Sequence, residues 1–446
     1  MQKEKYLIVL GGATASGKTG IGIQLAKALQ TVILSGDSRQ FYREMAIGTA
    51  KPTPEELAQI PHYFVNNVSI NDSYNVGDFE QDGLAILEQI FREKDCALLV
   101  GGSGLYIKAL CEGLDVFPDV PKTIRQEIER RYQKEGIAFL QTKIKEIDPT
   151  YAAQVDLNNP HRLIRAIAIY QASGQTFSSF LRQQHSPRKF KVIYLCLHRN
   201  RQELYERINL RVDQMMNMGQ LEEAKGLQSK KDLQALQTVG YQELFSFLDG
   251  KCSLSEAVEL IKRNSRRYAK RQGTWFRKDP RWYFFAPDQI TQVQNYIRLA
   301  MEKQLSIQQI PVSAKDNLDL FCQKNKITLL KQESTKHIGC FQNQKLIGLV
   351  EIDQQKNKNI IENFILLPDF KHQNFEELLM IQMIHHLGDR PSFAFIPKEY
   401  VPIFNQFQFQ PITNKDVLAK ILMDLKRSKN KDTDDLILCK KVAHLT

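Results

Sequence analysis

Residues 7 to 29 read LIVLGGATASGKTGIGIQLAKAL. An apolar run with strand character ends in Gly-x4-Gly-Lys-Thr and passes straight into a helix-forming run. A strand, a tight loop and a helix in that order constrain the fold more than any other stretch. The glycines let successive amide N–H groups, from Gly12, Ala13, Thr14, Ala15, Ser16, Gly17, Lys18 and Thr19, converge on one anion. The helix dipole, Lys18 and a cation held by Thr19 complete a phosphate cradle.

The rest of the chain shows what surrounds that cradle. KYLIVLGG, a helix over 17–29, TVILSGDS, a periodic run over 80–93 and CALLVGGSG alternate strand with helix, which predicts βαβ units and a parallel sheet. From Pro118 to His185 the pattern is helical: Ile124, Ile128 and Tyr132 recur every fourth residue, and NPHRLIRAIAIYQASG ends on a glycine. KVIYLCL (191–197) is a strand again, so the helical part is an insertion. Helices over 200–219 and 219–229 and the segment LQTVGYQELFSFLDG follow. A long helix then opens with Ser253 three residues before Glu256, the order of a capping box. WYFF (282–285) is a short strand.

At 446 residues the chain exceeds one core, which rarely grows past about 250 to 300 residues. The expected organisation is a P-loop α/β core over 1–117 and 190–304, an all-helical insertion over 118–189, and a separate C-terminal α+β domain over 305–446. Within that last part KRSKNKDTDD (426–435) is expected to be a charged loop. The sequence has no apolar run of about 18 residues, the length of a membrane span, and no signal peptide. Cys96, Cys111, Cys196, Cys252, Cys322, Cys340 and Cys439 lie far apart without zinc-ligand spacing, the pattern of reduced thiols. A cytoplasmic monomer is expected. The net charge is +11, and residues 262–281 hold nine Lys/Arg and one acid. Such a stripe suits phosphate partners, nucleic acid above all, or a solvated face.

Two acidic positions separate the chemistries open to a P-loop. A hydrolase needs a strand ending in aspartate, yet ALLV (97–100) ends in Gly101-Gly102-Ser103-Gly104. An acid appears at the end of the second strand instead, in ILSGDSRQFY. Asp37 there stands where an open α/β sheet places its chemistry, or caps a helix starting at Ser38.

GATASGKT, SGDSRQFYREMAIGTAKP, LLVGGSGLYIKAL, NPHRLIRAI, TVGYQEL and RRYAKRQGTWFRK occur in an order and spacing that resembles the bacterial tRNA dimethylallyltransferases, also called tRNA isopentenyltransferases, over roughly residues 5–285. The resemblance implies transfer of a dimethylallyl group from dimethylallyl diphosphate to N6 of the adenine 3′ of the anticodon, in tRNAs reading codons that start with U. It implies Asp37 as general base, Thr19 as a Mg2+ and diphosphate ligand, and Arg211 as a clamp on the diphosphate. Arg207 is expected to be structural or to face tRNA. By motif match the tRNA anticodon stem-loop would meet Asp37, Ser38, Arg39, Gln40, Ser103, Arg125, His161, Arg162, Leu163, Ile164, Arg165, Gln237, Thr238, Val239, Gly240, Tyr241, Gln242, Lys270, Arg271, Gln272, Gly273, Thr274, Trp275, Phe276 and Arg277. Lys262, Arg266, Lys270 and Arg277 fall near one helical face suited to phosphates. Trp275 reads equally as core.

Three positions depart from the family pattern: Ala13 replaces a proline, Gln242 a basic residue, and Gly273 a larger apolar one, at a helix cost of about 1 kcal/mol relative to Ala. The tail resembles an acyl-CoA-dependent N-acetyltransferase (GNAT) fold. Its turn Lys371-His372-Gln373-Asn374-Phe375-Glu376 lacks both glycines that would hold the CoA pyrophosphate, so a non-catalytic module is expected. Other readings are an isopentenyltransferase acting on free AMP or ADP, a P-loop kinase of small molecules, and a non-catalytic tRNA-binding protein.

Overall fold

A computed structural model describes residues 3–181, 187–311, 314–330, 334–371, 373–388, 390–413 and 436–441. Residues 426–435 lie outside that set. Two compact units emerge: residues 1–74, 85–107 and 190–446, and a helical unit of 75–84 and 108–189. The larger segment of the helical unit begins at Lys108, ahead of the expected boundary at 118, and the unit also takes in part of the helix Val76–Glu93.

In the larger unit six parallel strands form the first sheet: β1 (Tyr6–Gly12), β2 (Ile33–Ser35), β3 (His62–Tyr63), β4 (Cys96–Val100), β5 (Lys191–Leu197) and β6 (Tyr283–Phe285). Their order is β3-β2-β4-β1-β5-β6. β1 is central and buried along its whole length, with Tyr6–Leu10 beside Cys96–Val100 and Tyr6–Gly12 beside Lys191–Leu197. A continuous apolar run is what a strand covered on both faces requires. The carboxyl ends of β1, β2 and β4 lead into the loops that carry residues 12–19, 36–40 and 101–104, so the sequence-predicted chemistry shares one sheet edge.

The long helix Leu254–Lys278 has the capping box expected of it: Glu256 N–H donates to Ser253 Oγ, and Ser253 N–H to the Glu256 carboxylate. Its buried stripe runs through Ala257, Ile261, Ala269, Gln272 and Phe276.

The C-terminal part builds a second, mixed sheet from β7 (Leu305–Gln309), β8 (Thr335–Gln342), β9 (Lys345–Gln354), β10 (Asn359–Leu366), β11 (Ser392–Pro397), β12 (Phe409–Pro411) and β13 (Leu436–Lys441). The hairpin, strand, helix and strand order expected from the sequence is present; β7 and the helix Lys315–Lys324 were not legible there. This sheet shares a hydrophobic cluster with the first one: Tyr283, Phe285, Val293 and Ile297 pack with Ile338, Phe375, Leu378 and Leu379. The helix Phe375–Leu387 is apolar nearly all round, because both sheets need a partner there.

The helical unit packs Lys122–Glu135, Ile137–Ile147 and Pro160–Ser173 around Ile128, Leu140, Ile144, Leu163 and Ile167. Buried Asp148 ties its turns by accepting from Tyr151 N–H, Ser178 N–H and Ser178 Oγ.

Candidate functional site

The phosphate loop is shaped by two left-handed residues, Ala15 (φ 60°) and Gly17 (φ 98°), either side of buried Ser16. Alternation of that kind turns successive N–H groups toward one point. Lys18 lies back over the loop and donates to Ala13 O at 2.6 Å. Desolvation pushes its ammonium down to about 8; the Asp37 carboxylate opposes that shift and the Arg211 guanidinium adds to it. Lys18 is thus a cation short of a counter-charge, and an anion in the loop would supply one.

Three arginines from the segment after β5 surround the loop. Arg211 Nη1 donates to Thr14 Oγ1 at 3.4 Å, and burial lowers the pKa of its guanidinium. Arg207 Nε donates to Ala15 O at 2.9 Å: one helical turn from Arg211, it braces the same loop, as the structural one of its two expected roles would have it. Arg199 Nε donates to Ser16 O at 2.7 Å and pairs with Glu203. Sequence reading missed Arg199, although its place two residues past β5, at the same sheet edge as the loop, was a signal.

Beside the loop opens a cavity of about 540 Å3. Thr14, Lys18 and Thr19 lie on one side and Asp37, Ser38, Arg39 and Gln40 on another. Gly48, Thr49 and Ala50, then Thr238, Val239 and Gly240, form further walls. The size is within the range of small-molecule sites, about 300–1,000 Å3. Asp37 does not cap a helix; its Oδ1 accepts Arg39 N–H at 3.0 Å in a local turn, and its carboxylate lines the cavity. Ser103 Oγ accepts Ser38 N–H at 3.0 Å and fixes that turn to the loop after β4. Gln40 is held at both ends, accepting from Ser35 Oγ and donating to Ala50 O.

The basic helix contributes differently from what its charges alone predict. Gln272 is buried and bridges two loops, accepting Thr14 N–H at 2.8 Å and donating to Gly102 O at 3.0 Å. Phe276 is core, and Trp275 meets Phe276 and Trp282 edge-on. Lys262 pairs with Asp213, and Arg266 donates to Asn209, so half of the expected phosphate-facing quartet is spent on the helix Arg201–Asn217. Lys270, Arg271, Thr274 and Arg277 remain exposed, and Gly273 is half-buried. Tyr268 and Ser265, unnoticed in the sequence, line the cavity from the same helix.

At the TVGYQEL segment, Gln242 hydrogen-bonds the preceding Gln237 at the surface, while Tyr241 is fully buried. In the helical unit Leu163 and Ile164 are likewise buried in the core, Ile164 also lining a second cavity of about 440 Å3. Their charged neighbours are not buried: Lys122, Arg125, His161 and Arg165 line the same cavity, with the Arg165 guanidinium 5.0 Å from the Phe117 ring centroid. Arg162 is exposed, its N–H accepted by the Asn159 cap.

A parallel sheet whose first strand ends in this glycine loop, with arginines and a carboxylate lining one cavity, defines an α/β protein with its candidate site at the carboxyl ends of the strands. The family model for IPP transferases matches residues 40–279. The tRNA dimethylallyltransferase of Christiangramia forsetii is 51% identical over 282 residues, 63% of this chain and 93% of that protein. That of Cytophaga hutchinsonii is 44% identical over 299 residues, 67% of this chain and 98% of that protein. The solved full-length tRNA isopentenylpyrophosphate transferase of Bacillus halodurans superposes with TM-score 0.51 at 37% identity, over 67% of this chain and 97% of that one. This chain belongs to the tRNA dimethylallyltransferase (IPP transferase) family. The matched relatives are covered almost end to end, so about a third of this chain extends beyond them.

Proposed function

We propose that the protein transfers a dimethylallyl group from dimethylallyl diphosphate to N6 of the adenine 3′ of the anticodon, in tRNAs reading codons that start with U. One observation carries this reading beyond family membership: a single cavity joins the anion cradle to the Asp37 carboxylate. In the reaction the donor's C1–O bond breaks and its electron pair leaves on the diphosphate. The N6 lone pair forms the new C–N bond, and the proton displaced from N6 passes to Asp37. Lys18, Arg207 and Arg211 line this cavity beside the loop and would stabilise the charge growing on the leaving diphosphate.

Mg2+ suits the oxygen donors here. Among the described residues no three His, Cys, Asp or Glu side chains gather as a metal site. Thr19 would be the protein ligand, with diphosphate oxygens and water completing the shell. Bound there, the ion would add positive charge beside the leaving group.

The acceptor base must leave the anticodon-loop stack to reach this cavity. Exposed Lys270, Arg271 and Arg277 are placed to hold backbone phosphates, which makes binding salt-dependent. We place the reaction in the cytoplasm and take the monomer as the working unit; no disulfide forms among the described residues. No helix among the described residues is long and apolar enough to cross a membrane.

The test is transfer from labelled dimethylallyl diphosphate, with Mg2+, to unmodified tRNA in competition with AMP. Label in tRNA alone is expected. Label in AMP at a comparable rate indicates an enzyme of free nucleotides, and label in neither removes the proposal.

A further inference from the structure

The segment 46–50, whose Gly48, Thr49 and Ala50 form a wall of the cavity, is secured by one carboxylate from a distant part of the chain. Glu223 Oε2 accepts Ala46 N–H at 2.9 Å and Ile47 N–H at 2.8 Å, and its Oε1 accepts Gly48 N–H at 2.9 Å. The buried Tyr241 hydroxyl donates to the same Oε1 at 2.6 Å. Three consecutive backbone donors converging on one anion form a nest like the phosphate loop itself, filled here by the protein's own side chain. Tyr241 also fixes how closely the wall approaches: a Cβ on Gly48 would sit 2.7 Å from its ring, so only glycine fits.

This anchor connects to the catalytic turn by hydrogen bonds. Ala50, two residues past the nest, accepts Gln40 Nε2; Gln40 Oε1 accepts Ser35 Oγ; and Ser35 Oγ accepts Asp37 N–H at 3.4 Å. Glu223 itself is not among the residues lining the cavity. Its influence runs through the wall.

We infer that Glu223 is a positioning residue for the acceptor base: it holds the 46–50 wall, and through Gln40 the Asp37 turn, at the spacing that presents N6 to Asp37. The inference rests on the proposed acceptor, and it predicts a split between chemistry and binding. A misplacement of about 1 Å costs roughly 100-fold in rate. Glu223→Gln preserves size and one acceptor oxygen but presents N–H to Gly48 N–H. It is expected to lower kcat by about 10- to 100-fold, with pyrophosphate affinity and tRNA affinity unchanged. Glu223→Asp keeps the charge but is too short for the whole nest, and it is expected to recover part of that loss.

Two readouts accompany the kinetics. Backbone hydrogen exchange at Ala46–Gly48 should speed up in Glu223→Gln while the amides of β1 stay protected. This readout needs no turnover, so it tests the anchor even if the wild type prenylates no tRNA, the result that instead defeats the proposed function. Unchanged exchange at 46–48, or a kcat equal to wild type in both variants, overturns the inference. A loss of pyrophosphate binding in step with kcat also overturns it, because the damage would then be general.

Discussion

The P-loop core and the C-terminal sheet use polar groups in opposite ways. In the core, Lys18, Asp37, Arg207 and Arg211 face a cavity, and their neighbours hold them there. In the C-terminal domain polar side chains bond inward: fully buried Glu351 accepts from Leu330 N–H, His337 and Asn363, and Asn359 donates to Leu387 O and Ser392 Oγ. The most telling is Gln382, buried on the helix Phe375–Leu387. Its Oε1 accepts Phe284 N–H at 2.9 Å and its Nε2 donates to Trp282 O at 2.9 Å, so it closes the outer edge of β6 as a paired strand would. Tyr283 Oη donates to Leu378 O, and the His385 ring stacks on Phe284 with centroids 3.8 Å apart. One region directs its polar groups at a cavity, and the other directs them at its neighbour.

That contrast breaks first at Asp37. Asp37→Ala is expected to cut turnover by about 100- to 10,000-fold, the range of general-base contributions, with tRNA affinity largely kept. Steady-state kinetics and a binding titration check both halves, and normal turnover removes Asp37 from the mechanism.

Gln382→Ala probes the other region and should act on stability. It orphans a buried N–H and a buried C=O, at about 1–3 kcal/mol each, in urea unfolding. The kcat of the folded fraction should be unchanged; a selective loss of kcat would give the C-terminal domain a part in the chemistry.

Next in size is a pH effect at Lys18. Its pKa in the free protein is lowered to about 8, so it is charged below that pH and loses its proton above it. Pyrophosphate affinity should therefore weaken as pH rises through about 8, by up to tenfold per pH unit. Calorimetric titration across pH 7 to 9 measures this, and a flat profile contradicts it.

The last expected effect lies at the helix Phe375–Leu387. Burial pushes His386 down to about 4 from its ordinary 6.5, and buried His385 is lowered too, with His198, His386, Arg277 and Lys336 adding repulsion. For a lowered histidine the unfolded chain binds the extra proton, so stability is full above about pH 6.5 and declines as pH falls toward 4. A melting temperature constant over that window contradicts this account of the interface.

What the sequence disclosed follows the same division. The phosphate loop was legible because its chemistry is contiguous: strand, glycines, Lys18 and helix fall within residues 6–28. Asp37 was legible from its place at a strand end. The links that span the chain were not, since nothing local marks Gln272 as the partner of Thr14, or Glu223 as the seat of residues 46–48. Charge misled for a related reason: Lys262 and Arg266 belong to the basic stripe, but Asp213 and Asn209 on another helix engage them. The C-terminal element order was readable from periodicity. Its attachment through Gln382 was not, because a glutamine in an apolar helix reveals its partner only once β6 is beside it.

The most direct test of the central claim is to locate the prenyl group on the product. After incubation with dimethylallyl diphosphate, wild-type enzyme and unmodified tRNA whose anticodon ends in A, nuclease fragments are sequenced by mass spectrometry. The account predicts one modified nucleotide, the adenosine immediately 3′ of the anticodon, and a strongly diminished yield of it with Asp37→Ala. Modification at other adenosines, or an undiminished yield from Asp37→Ala, would contradict it.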